Sequence, residues 1–252
     1  MTSIYNNYSI STGFNRSQTA GFRGTSGGYV PKSAPIDFGY VSHPLQDNFG
    51  TKAEIETAAK SNPCIREILY KHKLPLKVNL TELEKLRNGH LKNTRIIAAK
   101  MYSNLPAELK QNVDLQALQE AAMFHDYGKV LIPEKILNKK GELNEDEWSI
   151  MKLHSILGAE LLKSKNLSPR ALELIKFHHL DKKGQGYPAE HSDYEYGVDS
   201  EILLTADKYQ ALTEERSYKQ AMSADEALAI IENDVKNGII SQEVFDALKK
   251  SI

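Results

Sequence analysis

Ala121-Ala122-Met123-Phe124-His125-Asp126-Tyr127-Gly128-Lys129 closes a helix by delivering an imidazole and a carboxylate to its inward face. Leu118, Ala122 and His125 step by four and three and so share one side of a helix. Asp126 follows at the helix end, just before Gly128. Four other segments repeat the device. Leu83, Leu86, His90, Asn93 and Ile97 read as the inward stripe of an earlier helix. Met151, His154, Gly158 and Leu161 form the stripe of a later one, with Gly158 leaving room for a close neighbour. Leu172, Ile175 and His179, with His178 beside it, follow in the next, and Leu203, Asp207 and Gln210 in a fifth. A single histidine on an apolar face is ordinary. Five histidines and two aspartates from five helices are costly unless they satisfy one another, and a metal centre does this most simply. Seven nitrogen and oxygen donors exceed the needs of one ion. They suit two ions about 3.5–4 Å apart that share a carboxylate, and Asp126 beside His125 is placed to be that bridge. Mixed imidazole and carboxylate donors favour iron, manganese, cobalt or nickel over calcium or magnesium.

Composition narrows the class. The chain has 252 residues, 40% hydrophobic and 26% charged, with a net charge of −1. This is ordinary for a globular protein and gives no reason to expect a nucleic-acid polymer as partner. One cysteine, Cys64, excludes an internal disulfide and a thiolate metal cage. No apolar run approaches the roughly 20 residues that span a bilayer, and the N-terminus lacks the pattern of a signal peptide. We expect a cytoplasmic protein with no membrane partner.

Residues 1–50 stand apart: they hold 7 of the 15 glycines, 4 of the 7 phenylalanines and only two acidic residues. Without helical or strand periodicity they read as a disordered arm, whose Tyr5, Tyr8, Phe14, Phe22, Tyr29, Phe38 and Tyr40 are spaced as stickers for a protein partner. Residues 51–79 read as a helical lead-in and 80–252 as the main domain. The expected class is all-α, a helical bundle. Thr81 with Glu84 predicts a capping box opening a helix to about Ser103. Asp114 opens one to about Gly128, Asn144 with Glu147 one to about Lys163, and Ser168-Pro169 another. Further helices are expected over about 199–213, 223–236, where Ser223 and Glu226 form a capping box, and 241–250. No strand pattern of useful length is seen.

The ordered set resembles the HD superfamily of metal-dependent phosphohydrolases, and more closely its HD-GYP branch. The similarity runs over about residues 80–250. It is carried by 121–129, Ile132-Pro133, the 136–143 segment, 147–154 with Gly158, His178-His179, Gly184-Gln185-Gly186-Tyr187-Pro188, and Asp207 with 211–219. The resemblance implies a helical HD domain that hydrolyses a cyclic dinucleotide with metal-activated hydroxide. Cyclic di-GMP, cut to the linear dinucleotide or to GMP, is the expected substrate, and two divalent ions, iron or manganese, the expected cofactors. It implies one ion on His90, His125, Asp126 and Asp207, and a second on Asp126, His154, His178 and His179. Asp126 and Lys129 would be catalytic, Lys129 by stabilising the phosphate or protonating the leaving oxygen. Arg216, Lys219, Gln210 and Tyr187 would contact substrate, and the GYP loop would offer a docking surface to a protein partner.

The chain departs from the family pattern at four places. Leu180 stands where a glutamate commonly follows His-His, Lys183 where an aspartate precedes the glycine, and Gln210 where a second aspartate follows Asp207. Leu86 replaces a glutamate found in three-metal members, which points to two ions. Lys183 and Gln210 keep open a second reading, an HD phosphohydrolase for another nucleotide. A third is a catalytically weak cyclic-dinucleotide receptor or interaction module.

Overall fold

The computed structural model describes residues 50–191, 193–214 and 221–252. The arm up to residue 49, and with it the expectation of disorder, lies outside these residues, as does the 215–220 segment carrying Arg216 and Lys219. The described residues form a helical bundle. The lead-in comprises α1 (Lys52–Ser61) and α2 (Pro63–Lys71). Thr51 and Glu54 make a reciprocal capping box for α1, and Asn62 with Pro63 starts α2. Their buried Ile55, Ala59, Ile65 and Leu69 join the same hydrophobic core as the rest.

The expected helix from Thr81 to Ser103 is two. α3 (Leu80–Asn88) is capped by Asn79, whose side chain accepts from the Glu82 amide, so the box at Thr81 does not form. At Gly89, the weakest helix former short of proline, ψ of −103° ends the helix, and α4 (His90–Asn104) begins anew. The break changes the phase: behind His90 the inward residues are Leu91, Thr94, Ala98 and Met101, while Asn93 is exposed.

After α5 (Ala107–Lys110), α6 (Leu115–Phe124) starts on Asp114 as expected. It ends at Phe124 rather than Gly128, and a 3₁₀ turn follows over Tyr127–Leu131. Next come α7 (Glu134–Leu137), α8 (Glu145–Met151) and α9 (Leu153–Leu162), so the long helix expected from Asn144 is interrupted at Lys152. Its opening capping box of Asn144 and Glu147 is present. α10 (Pro169–Phe177), α11 (Val198–Thr213), α12 (Ala224–Lys236) and α13 (Gln242–Lys249) complete the bundle, with the Ser223–Glu226 box on α12. α4 packs on α6, α11 and α13; α10 packs on α6 and α9; α9 lies against the 3₁₀ turn. No described helix is long and apolar enough to cross a membrane.

A short hairpin was not expected. β1 (His179–Leu180) pairs antiparallel with β2 (Gly186–Tyr187), His179 opposite Tyr187. Asp181 Oδ1 accepts from the amides of Lys183 and Gln185 and folds the turn. Gly186 has φ of +122°, and a Cβ there would stand 1.9 Å from the His179 carbonyl oxygen. Glycine is therefore required for the strand pairing.

Candidate metal centre

The seven donors singled out in the sequence converge. One set is Asp126, His154, His178 and His179; another is His90, His125 and Asp207; within each, all ligand atoms lie within 4.8 Å of one another. They come from the start of α4, the ends of α6 and α10, the start of α9, β1 and the middle of α11. Asp126 faces both sets. Its Oδ1 is 3.3 Å from His154 Nε2, and its Oδ2 is 3.6 Å from His125 Nε2 and 3.9 Å from His90 Nε2. Lys129 Nζ donates to the same Oδ2 at 2.6 Å. Asp207 Oδ1 lies 2.9 Å from His90 Nε2 and 3.4 Å from His125 Nε2.

The backbone sets the tautomers. His125 Nδ1 meets the Ala122 carbonyl at 3.1 Å, His154 Nδ1 that of Met151 at 2.7 Å, and His178 Nδ1 that of Ile175 at 2.7 Å. Each carbonyl lies in the last turn of α6, α8 or α10, where backbone acceptors lack helical donors. The ring N–H fills that need, and the interruption at Lys152 is what supplies His154 with its carbonyl. With Nδ1 protonated, each neutral ring turns a lone pair on Nε2 into the centre. His154 Nε2 then faces His178 Nε2 at 3.4 Å and His179 Nε2 at 3.2 Å, and His125 Nε2 is buried without a hydrogen-bond partner. The facing lone pairs of His154 and His178 repel unless a cation lies between them. Bonds of about 2.0–2.2 Å to one ion put neighbouring donors about 3.0–3.5 Å apart, matching the separations of His154 Nε2 from His178, His179 and Asp126. The donor set fits divalent ions.

Protonation follows burial. Burial pushes His154 down to about 4 and His178 down to about 3, and His179 falls well below its ordinary value for the same reason. For His90, burial acts downward, but the hydrogen bond to Asp207, the Glu214 carboxylate beside Nδ1 and the charge of Asp126 outweigh it and raise it to about 9. Burial raises Asp126 and Asp207, yet Lys129 and the imidazoles beside Asp126, and His125 and His90 beside Asp207, hold both well below the carboxylate range. Folding thus makes His154, His178 and His179 harder to protonate. Stability is complete above the unfolded value near 6.5 and falls as pH drops, by about 1.4 kcal/mol per pH unit for each ring. His90 acts oppositely: its contribution is complete below about 6.5 and is lost as pH rises through about 9. Urea unfolding of chelator-treated protein at pH 5, 6.5 and 8.5 should therefore show maximal stability near 6.5 with the steeper loss on the acid side. A flat profile between 6.5 and 5 would contradict this placement of the rings.

The remaining residues fall into different places. Tyr187 is 6% exposed, its ring 4.4 Å from that of His179 and edge-on to His154 and Trp148, so it backs the ligands. Gln210 is buried on α11, one turn after Asp207. Lys183 Nζ donates to the Asn237 carbonyl, tying the hairpin to the C-terminal end of α12. Sequence reading missed Glu214, whose Oε2 is 3.2 Å from His90 Nδ1. Its position seven residues after Asp207 was the one available signal.

A family model for the HD domain matches residues 75–244. The 3'3'-cGAMP-specific phosphodiesterase 1 of Vibrio cholerae is 34% identical over 154 residues, 61% of this chain and 36% of that protein. The 3'3'-cGAMP-specific phosphodiesterase 3 of the same organism is 36% identical over 135 residues, 54% of this chain and 29% of its own. The cyclic di-GMP phosphodiesterase response regulator RpfG of Xanthomonas campestris pv. campestris is 37% identical over 120 residues, 47% and 32% of the two chains. The chain spans about a third of the length of these relatives. It belongs to the HD domain family, in the HD-GYP branch marked by Gly186-Tyr187-Pro188.

Proposed function

We propose that this chain is a metal-dependent phosphodiesterase that hydrolyses a cyclic dinucleotide, cyclic di-GMP first, at two divalent ions, iron or manganese. The observation that carries this reading is Asp126, whose two oxygens face two separate donor sets. Bound ions would lower the pKa of a water and neutralise charge on the phosphoryl group. His90, His125 and Asp207 would hold one of them and His154, His178 and His179 the other, with Asp126 common to both. The chain's own part is orientation and charge. Helix-terminal carbonyls fix three of the imidazoles, burial keeps His154 and His178 neutral near pH 7, and Lys129 keeps Asp126 ionised. The Lys129 side chain is 21% exposed, so its ammonium would also be open to a phosphoryl oxygen entering from solvent, where it would stabilise developing charge. Arg216 and Lys219 suit the phosphates as a guanidinium fork and an ammonium, and Gln210 completes the substrate contacts from α11.

The alternative of another nucleotide draws partly on Lys183, whose ammonium donates to the Asn237 carbonyl. Relatives named for both cyclic GMP-AMP and cyclic di-GMP make both compounds necessary in the test. Protein loaded with manganese or ferrous iron should convert at least one of them to a linear dinucleotide or mononucleotides, resolved by chromatography. Absence of product from either, with two ions bound per chain, would overturn the substrate assignment.

A further inference from the structure

Three of the histidines are oriented by carbonyls at helix C-termini, but His90 opens α4 just past the break at Gly89, and its Nδ1 makes no backbone hydrogen bond. Its Nδ1 meets a carboxylate instead: Glu214 Oε2 lies 3.2 Å away, while Asp207 Oδ1 lies 2.9 Å from Nε2 on the opposite side of the ring. Asp207 and Glu214 are seven residues apart, almost two whole helical turns, which places them on one side of α11 about 10.5 Å apart along its axis. The imidazole is held in that interval. Glu214 is the residue that closes α11, its amide bonded to the Gln210 carbonyl at 3.0 Å. Its side chain is 27% exposed, so it is not needed to fill the core. A carboxylate in this position on a ligating histidine fixes the tautomer and strengthens the other nitrogen as a donor.

We propose that Glu214 is a positioning residue of the metal centre: its carboxylate takes the Nδ1–H of His90 and presents Nε2 to the ion shared with His125, Asp207 and Asp126. This rests on the paired-ion reading above and extends it to one residue outside the ligand set. It predicts an asymmetric effect, because two imidazoles of the other set, His154 and His178, are held by backbone carbonyls that no side-chain substitution removes.

The test is a manganese titration of the 252-residue wild type, Glu214→Ala and Glu214→Gln, with free manganese followed by electron paramagnetic resonance. Wild type should bind two ions. Glu214→Ala should weaken one of them about 10–100-fold and leave the other unchanged. Glu214→Gln, whose side-chain oxygen still accepts the Nδ1–H, should recover most of the lost affinity. The melting temperature of the chelator-treated Glu214→Ala protein should stay close to that of wild type, showing that the loss is not one of folding. Two ions at wild-type affinity in Glu214→Ala, or equal weakening of both, would overturn the proposal, and a wild type holding fewer than two ions would overturn it together with the paired-ion reading. Wild type that binds two ions yet cuts no cyclic dinucleotide would refute the substrate assignment alone and leave this titration decisive for Glu214.

Discussion

Gly128→Ala should lower the melting temperature by about 6–12 °C and detach His154 from the centre. A Cβ at Gly128 would stand 2.0 Å from the His154 carbonyl oxygen and 2.5 Å from the Gly158 amide nitrogen. Both are backbone atoms of α9, so no side chain can rotate to make room. Relief requires moving the helix that carries His154 away from the 3₁₀ turn that follows Asp126. Overpacking of this kind costs about 3 kcal/mol, and about 2–4 °C accompanies each kcal/mol in a protein of this size. Gly158→Ala is the milder comparison, because its Cβ would meet the Gly128 amide nitrogen at 3.0 Å and otherwise has ordinary contacts. Thermal melts of the two variants, with metal content measured on the same samples, check the prediction. A Gly128→Ala protein with wild-type melting and wild-type metal content would show that the two backbones are not in this contact.

Asp126→Ala should reduce hydrolysis by on order of 10²–10³-fold, the scale lost when a preorganised charge is removed from an active site. Each donor set then keeps three side chains and no common ligand, so ions still bind weakly but are no longer held as a pair. The isosteric Asp126→Asn separates packing from charge. It preserves the volume of this buried side chain, yet its single acceptor oxygen cannot face His154 and the His90 and His125 rings at once. Both variants should lose turnover, and Asp126→Asn should do so with near-native melting. Either variant retaining more than about a tenth of wild-type turnover would remove Asp126 from the centre of the mechanism.

Much of this architecture was legible in local sequence because its signals are local. Asp114, Asn144 with Glu147, Ser168-Pro169 and Ser223 with Glu226 carry their caps within four residues. The seven donors stood out because polar groups on apolar stripes break a pattern that periodicity otherwise enforces. What was not legible depends on partners distant in sequence. The interruption at Lys152 has no proline or glycine to announce it and finds its reason in the ring of His154. Asn79 caps α3 in place of Thr81 while its own amide bonds to Val130, far along the chain. The hairpin at His179 and Tyr187 is too short for strand periodicity and is fixed by Asp181 and Gly186. Glu214 belongs to the same class: its meaning appears only when α4 and α11 are side by side.

The central claim is that one carboxylate joins two metal sites. Anomalous diffraction from crystals grown with manganese tests it most directly. Two peaks about 3.5–4 Å apart are expected, one on the Oδ1 side of Asp126 with His154, His178 and His179, the other on the Oδ2 side with His90, His125 and Asp207. A single peak, or two peaks that Asp126 does not bridge, would contradict it.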